Sequence, residues 1–378
     1  MNVLVVGGGI GGLAAAIALG RDGHQVTLLE RQPTFAPIGA GIIMAPNAAR
    51  VLGALGVDLA PHGRELTALV VRRADGRALS RIEPRRADPA FGPLWALTRP
   101  ALHAALVAAL PASVQVVHGA TVDALAADAG GVEVAALPGR RFELAIGADG
   151  LRSRVREATV GATALRYSGV TCWRGVMPNP GITDAIEAWG GAARIGVVSL
   201  RDDQLYYFLV LTAPPRAPAL AWPDGFASAF GHIGGDAGRV LAGLTAAPPL
   251  HHDLEELQRP VWGGGRVWLL GDAAHAMTPN QGQGAAMAIE DALALALALR
   301  PGLDGAHARY VAARHARVRK VQLDSRRLGA VAHWRHPLAR ALRDALVRLM
   351  PDALARAQYR QLIRPGLALA ASATVTAR

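Results

Sequence analysis

Short apolar runs, each closed by glycine or by a charged residue, alternate with longer helix-favouring stretches along this chain. Asn2-Val3-Leu4-Val5-Val6 is long enough for one buried parallel strand. Leu13 to Leu19 is alanine-rich and strongly helix-favouring, and Gly20 to Gly23 ends that helix. Gln25 to Leu29 reads as a second strand, closed by Glu30. Pro46 opens a predicted helix over Asn47 to Leu55, ended by Gly56. From Leu66 the period becomes that of strands. Leu66 to Arg72 and Arg77 to Arg81 flank the hairpin turn Ala74-Asp75-Gly76, and Leu94 to Leu97 is another strand. Thr98-Arg99-Pro100 starts a helix with Thr98 as N-cap and Leu102, Leu106 and Leu110 on its buried face. Val114 to Val117, Ala120 to Leu125 and Val132 to Ala136 are predicted strands of a meander, and Phe142 to Ile146 is a buried strand.

Residues 165 to 255 have a different texture. Val170 to Met177, Ala192 to Ser199 and Leu205 to Leu211 are strand-like, and Trp173, Trp189, Tyr206, Tyr207 and Phe208 gather here in a chain that is only 5% aromatic. They predict an antiparallel sheet. Arg266 to Leu270 returns to a buried strand and leads to a long helix ending at Leu299. Helices over Ala306 to Gly329 and Pro337 to Leu349 follow, with arginine-rich faces that read as solvated surface. The fold class is therefore α/β: a Rossmann-like parallel sheet with a β-meander, an antiparallel-sheet substrate domain, and C-terminal helices. The expected boundaries are 1–65, 98–164 and 256–320 for a discontinuous nucleotide domain, 66–97 and 165–255 for the substrate domain, and 321–378 for the terminal helices.

The joins carry the chemistry. Gly7, Gly9 and Gly12 fit G-x-G-x-x-G between a strand and a helix. Gly7 lets the strand turn, Gly9 lets backbone N–H groups approach a pyrophosphate, and Gly12 lets helix and strand pack closely. Glu30, 18 residues after Gly12, is placed for a ribose diol, with Arg31 beside it for ribose or phosphate. Pro37-Ile38-Gly39-Ala40-Gly41-Ile42 is a loop whose glycines, Gly41 among them, allow close approach to a flat group. Arg99 stands at a helix N-terminus, where a cation is misplaced unless an anion is near. Asp149-Gly150 and Gly271-Asp272 each follow a buried strand, at the edge where open α/β sheets bind ligands. Gly282 and Gly284 leave bare N–H groups before a helix. His275 reads as a structural histidine, with a catalytic base as its alternative.

Composition narrows the partners. The chain has 378 residues, a net charge of +11 carried mostly by arginine, and one cysteine, Cys172. No Cys-x-x-Cys pair exists, so a disulfide reductase is excluded. No nucleic-acid motif accompanies the spread arginines, no apolar window is long enough for a membrane span, and no metal site is expected. The apolar N-terminus lacks the basic start of a signal peptide, and the expected compartment is the cytoplasm.

Taken together and in order, the three motifs resemble the single-component FAD-dependent aromatic hydroxylases, the para-hydroxybenzoate hydroxylase-like flavoprotein monooxygenases. The resemblance covers most of residues 1 to 320. It implies that Gly7, Gly9, Gly12 and Glu30 hold the ADP half of FAD, and that Arg99 meets its phosphate or ribityl chain. It also implies that Asp149-Gly150, with Arg152, Arg154 and Arg156, serves FAD and NAD(P)H, and that Asp272 meets the ribityl chain. Pro279 would then lie near the flavin ring, with Gly282 and Gly284 offering it N–H groups. Arg174, Tyr206 and Tyr207 become substrate-binding candidates, at most one of the tyrosines lining the pocket because neighbours on a strand face opposite ways. Tyr167-Ser168-Gly169 and Cys172-Trp173-Arg174-Gly175 are most similar to salicylate and urate hydroxylases and zeaxanthin epoxidases. The implied activity uses NAD(P)H and dioxygen to hydroxylate or epoxidise an electron-rich aromatic or similar small molecule through a flavin C4a-hydroperoxide. A FAD-dependent oxidase or dehydrogenase on the same scaffold is the alternative. Substrate, nucleotide preference, catalytic base and oligomeric state are left open.

Overall fold

The computed structural model describes residues 1–35, 39–244 and 248–375, so Pro37 and Ile38 of the predicted loop lie outside the described residues. In chain order the first half runs β1 (Asn2–Val6), α1 (Ile10–Arg21), β2 (Gln25–Glu30), β3 (Gly41–Met44), α2 (Pro46–Ala54), β4 (Arg64–Leu66), β5 (Leu69–Arg73), β6 (Ala78–Ile82), α3 (Pro84–Ala87), β7 (Leu94–Thr98), α4 (Arg99–Ala108), β8 (Val114–His118), β9 (Leu125–Asp128), β10 (Gly131–Val134), β11 (Arg141–Phe142), β12 (Leu144–Gly147) and α5 (Arg154–Val160). The second half runs β13 (Leu165–Pro178), β14 (Ala185–Trp189), β15 (Ala193–Ser199), β16 (Gln204–Thr212), α6 (Asp224–Phe230), α7 (Gly235–Ala242), β17 (Leu250–Leu257), β18 (Gly263–Gly264), β19 (Val267–Leu269), α8 (Asp272–His275), α9 (Gly284–Leu299), α10 (Ala306–Ala332), α11 (Pro337–Arg348) and α12 (Asp352–Val375).

The main sheet has the order β18-β19-β12-β1-β2-β8 and is parallel from β19 to β8. Its register aligns the carboxyl ends. Val6 lies beside Leu29 and Gly147, and Gly147 lies beside Leu269. The three motifs, far apart in sequence, therefore leave the sheet along one edge. The central strands are largely apolar, because α1 packs against β1 and β2 while the strands β10 and β11 pack against β12 and β1. Val3, Leu4, Leu28 and Ile146 form the core with the apolar sides of α1 and α9.

The second sheet has the order β17-β13-β16-β15-β14-β5-β6. It is antiparallel except where β5 joins β14 in parallel. One face, carrying Trp173, Tyr207 and Leu209, packs on α6 and α7. Across the register, Arg174 lies beside Phe208 and Leu250, and Tyr206 beside Val176 and Val198, so these side chains share the opposite face.

Several expected elements differ. The apolar run Val114–Val117 is not part of the meander but the outer parallel strand of the main sheet, because Val26 to Glu30 offers it an open edge. The meander is β9-β10-β11, and the Ala120–Leu125 strand is replaced by the later β9. The single strand expected over Leu66–Arg72 is split. Its first residue ends β4, which pairs with β7, and from Leu69 it is β5 in the seven-stranded sheet. The strands β14 and β17 and the helix α12 were not expected.

Gly12 shows how tightly the nucleotide turn is built. A Cβ at this position would stand 1.8 Å from the Gly7 carbonyl oxygen. Backbone cannot yield there as a side chain does. Gly12→Ala is expected to destabilise the protein by about 3 kcal/mol or more, read as a fall in melting temperature with and without added cofactor. Gly9→Ala, where nothing lies within 4 Å of the new Cβ, is expected to leave the melting temperature of the apoprotein unchanged.

Candidate active site

At the first motif, Gly7 takes φ +107° and its would-be Cβ would meet the Ala148 carbonyl oxygen at 2.6 Å, so only glycine fits. Gly9 precedes α1, whose first N–H groups receive no side-chain cap. Glu30 holds the loop itself. One carboxylate oxygen accepts from the Gly8 N–H and the other from the Gln32 N–H, both at 2.8 Å. Each oxygen keeps a second lone pair for another donor. His103 of α4, which sequence reasoning missed, is buried and bonds the Gly8 carbonyl through Nε2 at 2.8 Å. An inward histidine at the position after Leu102 was its only signal. Arg31 is exposed and makes no ion pair among the described residues.

At the second motif, Asp149 spends its carboxylate on its own turn. It accepts from Ser153 Oγ at 2.5 Å and from the Val155 N–H at 3.1 Å. Ser153 in turn caps α5 by accepting from the Arg156 N–H. The buried Arg156 guanidinium donates to the carbonyls of Ala273 and Leu151, which ties this turn to the third motif.

At the third motif, Gly271 has φ +59° and donates its N–H to Asp291 at 3.0 Å. Asp272 follows as an exposed carboxylate with no hydrogen-bond partner among the described residues. Beneath it lies a buried ionic cluster. His275 Nε2 is 2.5 Å from Asp291, and Arg314 donates to Asp291 and to Glu290, each at 2.7 Å. Arg317 and Asn47 also donate to Glu290, and Asn47 reaches Gln283. Burial pushes the Asp291 carboxyl up, but His275 and Arg314 outweigh it and hold it at about 2. His275 is thus buried and held by Asp291. The arginine-rich face of α10, expected to be solvated, instead turns Arg314 wholly inward; the signal was Glu290-Asp291 inside an otherwise apolar helix. Gly282 adopts the left-handed conformation, and the space where its Cβ would stand is open, as it nearly is at Gly284, the first residue of α9. Pro279 is exposed at the start of that turn.

Opposite these turns stands the second sheet. Gly41 is required by Tyr206, since a Cβ there would meet the tyrosine Cγ at 2.3 Å. Arg174, Tyr206 and Asp272 lie close enough to Arg99 to act on its charge. Burial, and then Arg174, lowers the Arg99 guanidinium, while Asp272 and Tyr206 act the other way. Burial raises the Tyr206 phenol. His252, also unforeseen, opposes Cys172 on this face. It keeps solvent on one side, but desolvation on the other, with Arg174, His251 and Arg99 nearby, pulls it to about 4. Tyr207 turns away to the Trp173 core and does not join this group. A separate open cleft of about 800 Å³, between Asp128, Arg266 and His307, lies at the far end of the parallel strands and includes no predicted site residue.

This is the architecture of a dinucleotide-cofactor oxidoreductase, with the cofactor edge of one sheet facing the polar side of another. The profile of a family described as FAD binding domain matches residues 1–324. The chain is 35% identical to the 2-heptyl-3-hydroxy-4(1H)-quinolone synthase of Pseudomonas aeruginosa, over 96% of this chain and 97% of that one. It is 34% identical to the aurachin C monooxygenase/isomerase of Stigmatella aurantiaca, over 93% and 94%. The fold superposes on Klebsiella pneumoniae HpxO, solved with FAD and uric acid, with a TM-score of 0.88, covering 97% of each chain at 24% identity. This chain belongs to the FAD-binding-domain family and is a FAD-dependent monooxygenase of the aromatic hydroxylase class, with NAD(P)H as its reductant. The residues present fit FAD. The uncapped starts of α1 and α9, the open space at Gly9 and Gly282 and the unpartnered Asp272 carboxylate are a cradle for phosphates, ring and polyol.

Two outcomes follow from this geometry. Asp272→Ala is expected to weaken FAD binding about tenfold to a hundredfold, or about 1–3 kcal/mol, and Asp272→Asn less, since its amide oxygen still accepts. Because the carboxylate makes no hydrogen bond or ion pair among the described residues, the melting temperature of apoprotein should change little; fluorescence titration with FAD beside apoprotein melting curves measures both. The Asp291 carboxyl sits below its ordinary value of 3.8, so its contribution to stability is complete above about pH 4 and is lost as pH falls towards 2. Denaturant unfolding across that window should show a steep acid loss that Asp291→Asn flattens, on top of the lower stability the variant has at neutral pH.

Proposed function

We propose that this enzyme hydroxylates ring carbon 3 of a 4(1H)-quinolone bearing an alkyl tail at carbon 2. The carrying observation is identity of 35% to the 2-heptyl-3-hydroxy-4(1H)-quinolone synthase across nearly the whole of both chains. The glycine turns with Glu30, Arg99 and Asp272 take the cofactor, and segments 66–97 and 165–255 supply the substrate side. Gly41 and Pro279 border the ring; Asp149 acts through the turn it holds. Bound FAD supplies the redox chemistry, accepting hydride from NAD(P)H and activating dioxygen to deliver one oxygen atom.

The chain's own groups prepare the substrate. Carbon 3 of a 4-quinolone becomes more electron-rich as the ring loses its N–H proton. Arg99 and Arg174 put two positive charges beside one another, which favours the anionic form of a bound ring. His252 is neutral at pH 7 and offers an imidazole nitrogen to receive the proton. The protonated Tyr206 hydroxyl remains a donor for the ring carbonyl. Val176 and Leu250, on the same face as Arg174, are 37% and 44% exposed and offer apolar contact to an alkyl tail. Dioxygen is the co-substrate, no nucleic acid takes part, and the cytoplasm provides the NAD(P)H.

A panel of 2-alkyl-4(1H)-quinolones, salicylate, 3-hydroxybenzoate and urate tests this reading. Only the quinolones are expected to stimulate NAD(P)H oxidation, with a 3-hydroxy product carrying one atom from isotopically labelled dioxygen. Stimulation and hydroxylation confined to a benzoate or urate would overturn it. Arg174→Met should lower kcat/KM about tenfold to a hundredfold.

A further inference from the structure

The helix α11 is mounted the wrong way round for a surface helix. Such helices turn their apolar stripe to the core. Here Leu338, Leu342, Leu346 and Leu349, spaced to share one face, are 75%, 57%, 60% and 73% exposed. What faces the protein is largely polar. Arg343 is buried, lies 5.1 Å over the Trp189 ring and donates to the Ala332 carbonyl at 2.9 Å, with Val347 packed beside it against Leu79, Trp189 and Ala332. Trp334 and Leu354 extend the apolar surface at either end, at 36% and 49% exposure. One exposed leucine needs no explanation; a contiguous stripe of them marks a contact surface.

Charge around the stripe selects what covers it. Arg335 and Arg348 are exposed and have no acid partner among the described residues. The nearby acids are engaged, Asp344 by Arg343 and Arg73, and Asp352 by Arg356. The flanks are cationic on a chain of net charge +11. A second copy would bring like charges together. An anionic lipid surface would complement them while the leucines enter its apolar layer and Trp334 sits at the boundary. No described helix is long and apolar enough to cross a bilayer, so the helix lies along the surface. We propose that α11 is a membrane-surface anchor, with Leu338, Leu342, Leu346 and Leu349 inserted and Arg335 and Arg348 on anionic headgroups. Attachment does not depend on which substrate is turned over.

Co-sedimentation of the FAD-loaded full chain with vesicles tests the proposal. The wild type should pellet with phosphatidylglycerol-containing phosphatidylcholine vesicles, far less with pure phosphatidylcholine, and less at high salt. The triple variant Leu342→Gln, Leu346→Gln, Leu349→Gln and the double variant Arg335→Glu, Arg348→Glu should each bind at least about tenfold more weakly. Both should keep wild-type FAD content and vesicle-free turnover, since none of these residues borders the active site. If the leucine variant loses FAD, the arginine variant still decides. Equal recovery of wild type in the supernatant with either vesicle overturns the proposal. So does a wild-type dimer in sedimentation velocity that the leucine variant converts to monomer, since a second copy would then cover the stripe.

Discussion

The cofactor edge depends on one buried arginine. Arg314 of α10 bonds both Glu290 and Asp291 of α9, and those two acids hold almost everything around them. Asp291 takes the Gly271 N–H and His275, which sets the turn that presents Asp272. Glu290 takes Asn47, which links α2 and Gln283 to the same point. With Arg317 on Glu290, two guanidinium groups face two carboxylates. Such a cluster is weak evidence of net stability, because taking four charges out of water costs nearly what their attraction returns. Its value is geometric. The acids accept only from particular donors, so the carboxyl end of β19, the start of α9 and α10 can meet in one arrangement.

That arrangement explains which parts of the site were legible in the sequence. Gly7, Gly12 and Gly271 announce themselves, because positive φ or a missing Cβ is a local demand and glycine answers it locally. The parallel strands were equally readable, since burial on both faces leaves a continuous apolar run. Opposite roles for Tyr206 and Tyr207 followed from the strand period alone, and the two cores on either side of β16 agree with it.

The rest is tertiary. Leu250–Leu257 contains two histidines, an aspartate and two glutamates, and neither period shows in it, yet it is a strand with Glu256 wholly buried between Arg166 and Arg326. Val114–Val117 looks alike as a meander strand or a parallel edge, and only its neighbour Val26 to Glu30 decides. Arg314 and the exposed Arg327 are the same residue type on one helix; what separates them is an acid pair on another helix. The second role of Gly41, making room for Tyr206, needs a contact across 165 positions and has no local trace.

The deep arginines differ in how the protein meets them. Arg314 has Glu290 and Asp291, Arg194 has Glu187 and Asn280, Arg343 has Asp344, and Arg156 has two carbonyls. Each is satisfied by protein. Arg99 has no guanidinium hydrogen bond among the described residues, and Arg174 has only the Cys172 sulfur at 3.4 Å. Burial and the neighbouring Arg174 both work against the Arg99 charge, and Asp272 opposes them without a hydrogen bond to it among the described residues. The proposed function supplies the missing partners as anionic or strongly accepting groups brought from outside. In the proposed function, Arg99 and Asp272 face the cofactor's phosphates and polyol. Arg174 and His252 in turn favour a ring that carries negative charge when it reacts. The electrostatic shortfall at these two arginines is therefore what the proposed function draws on.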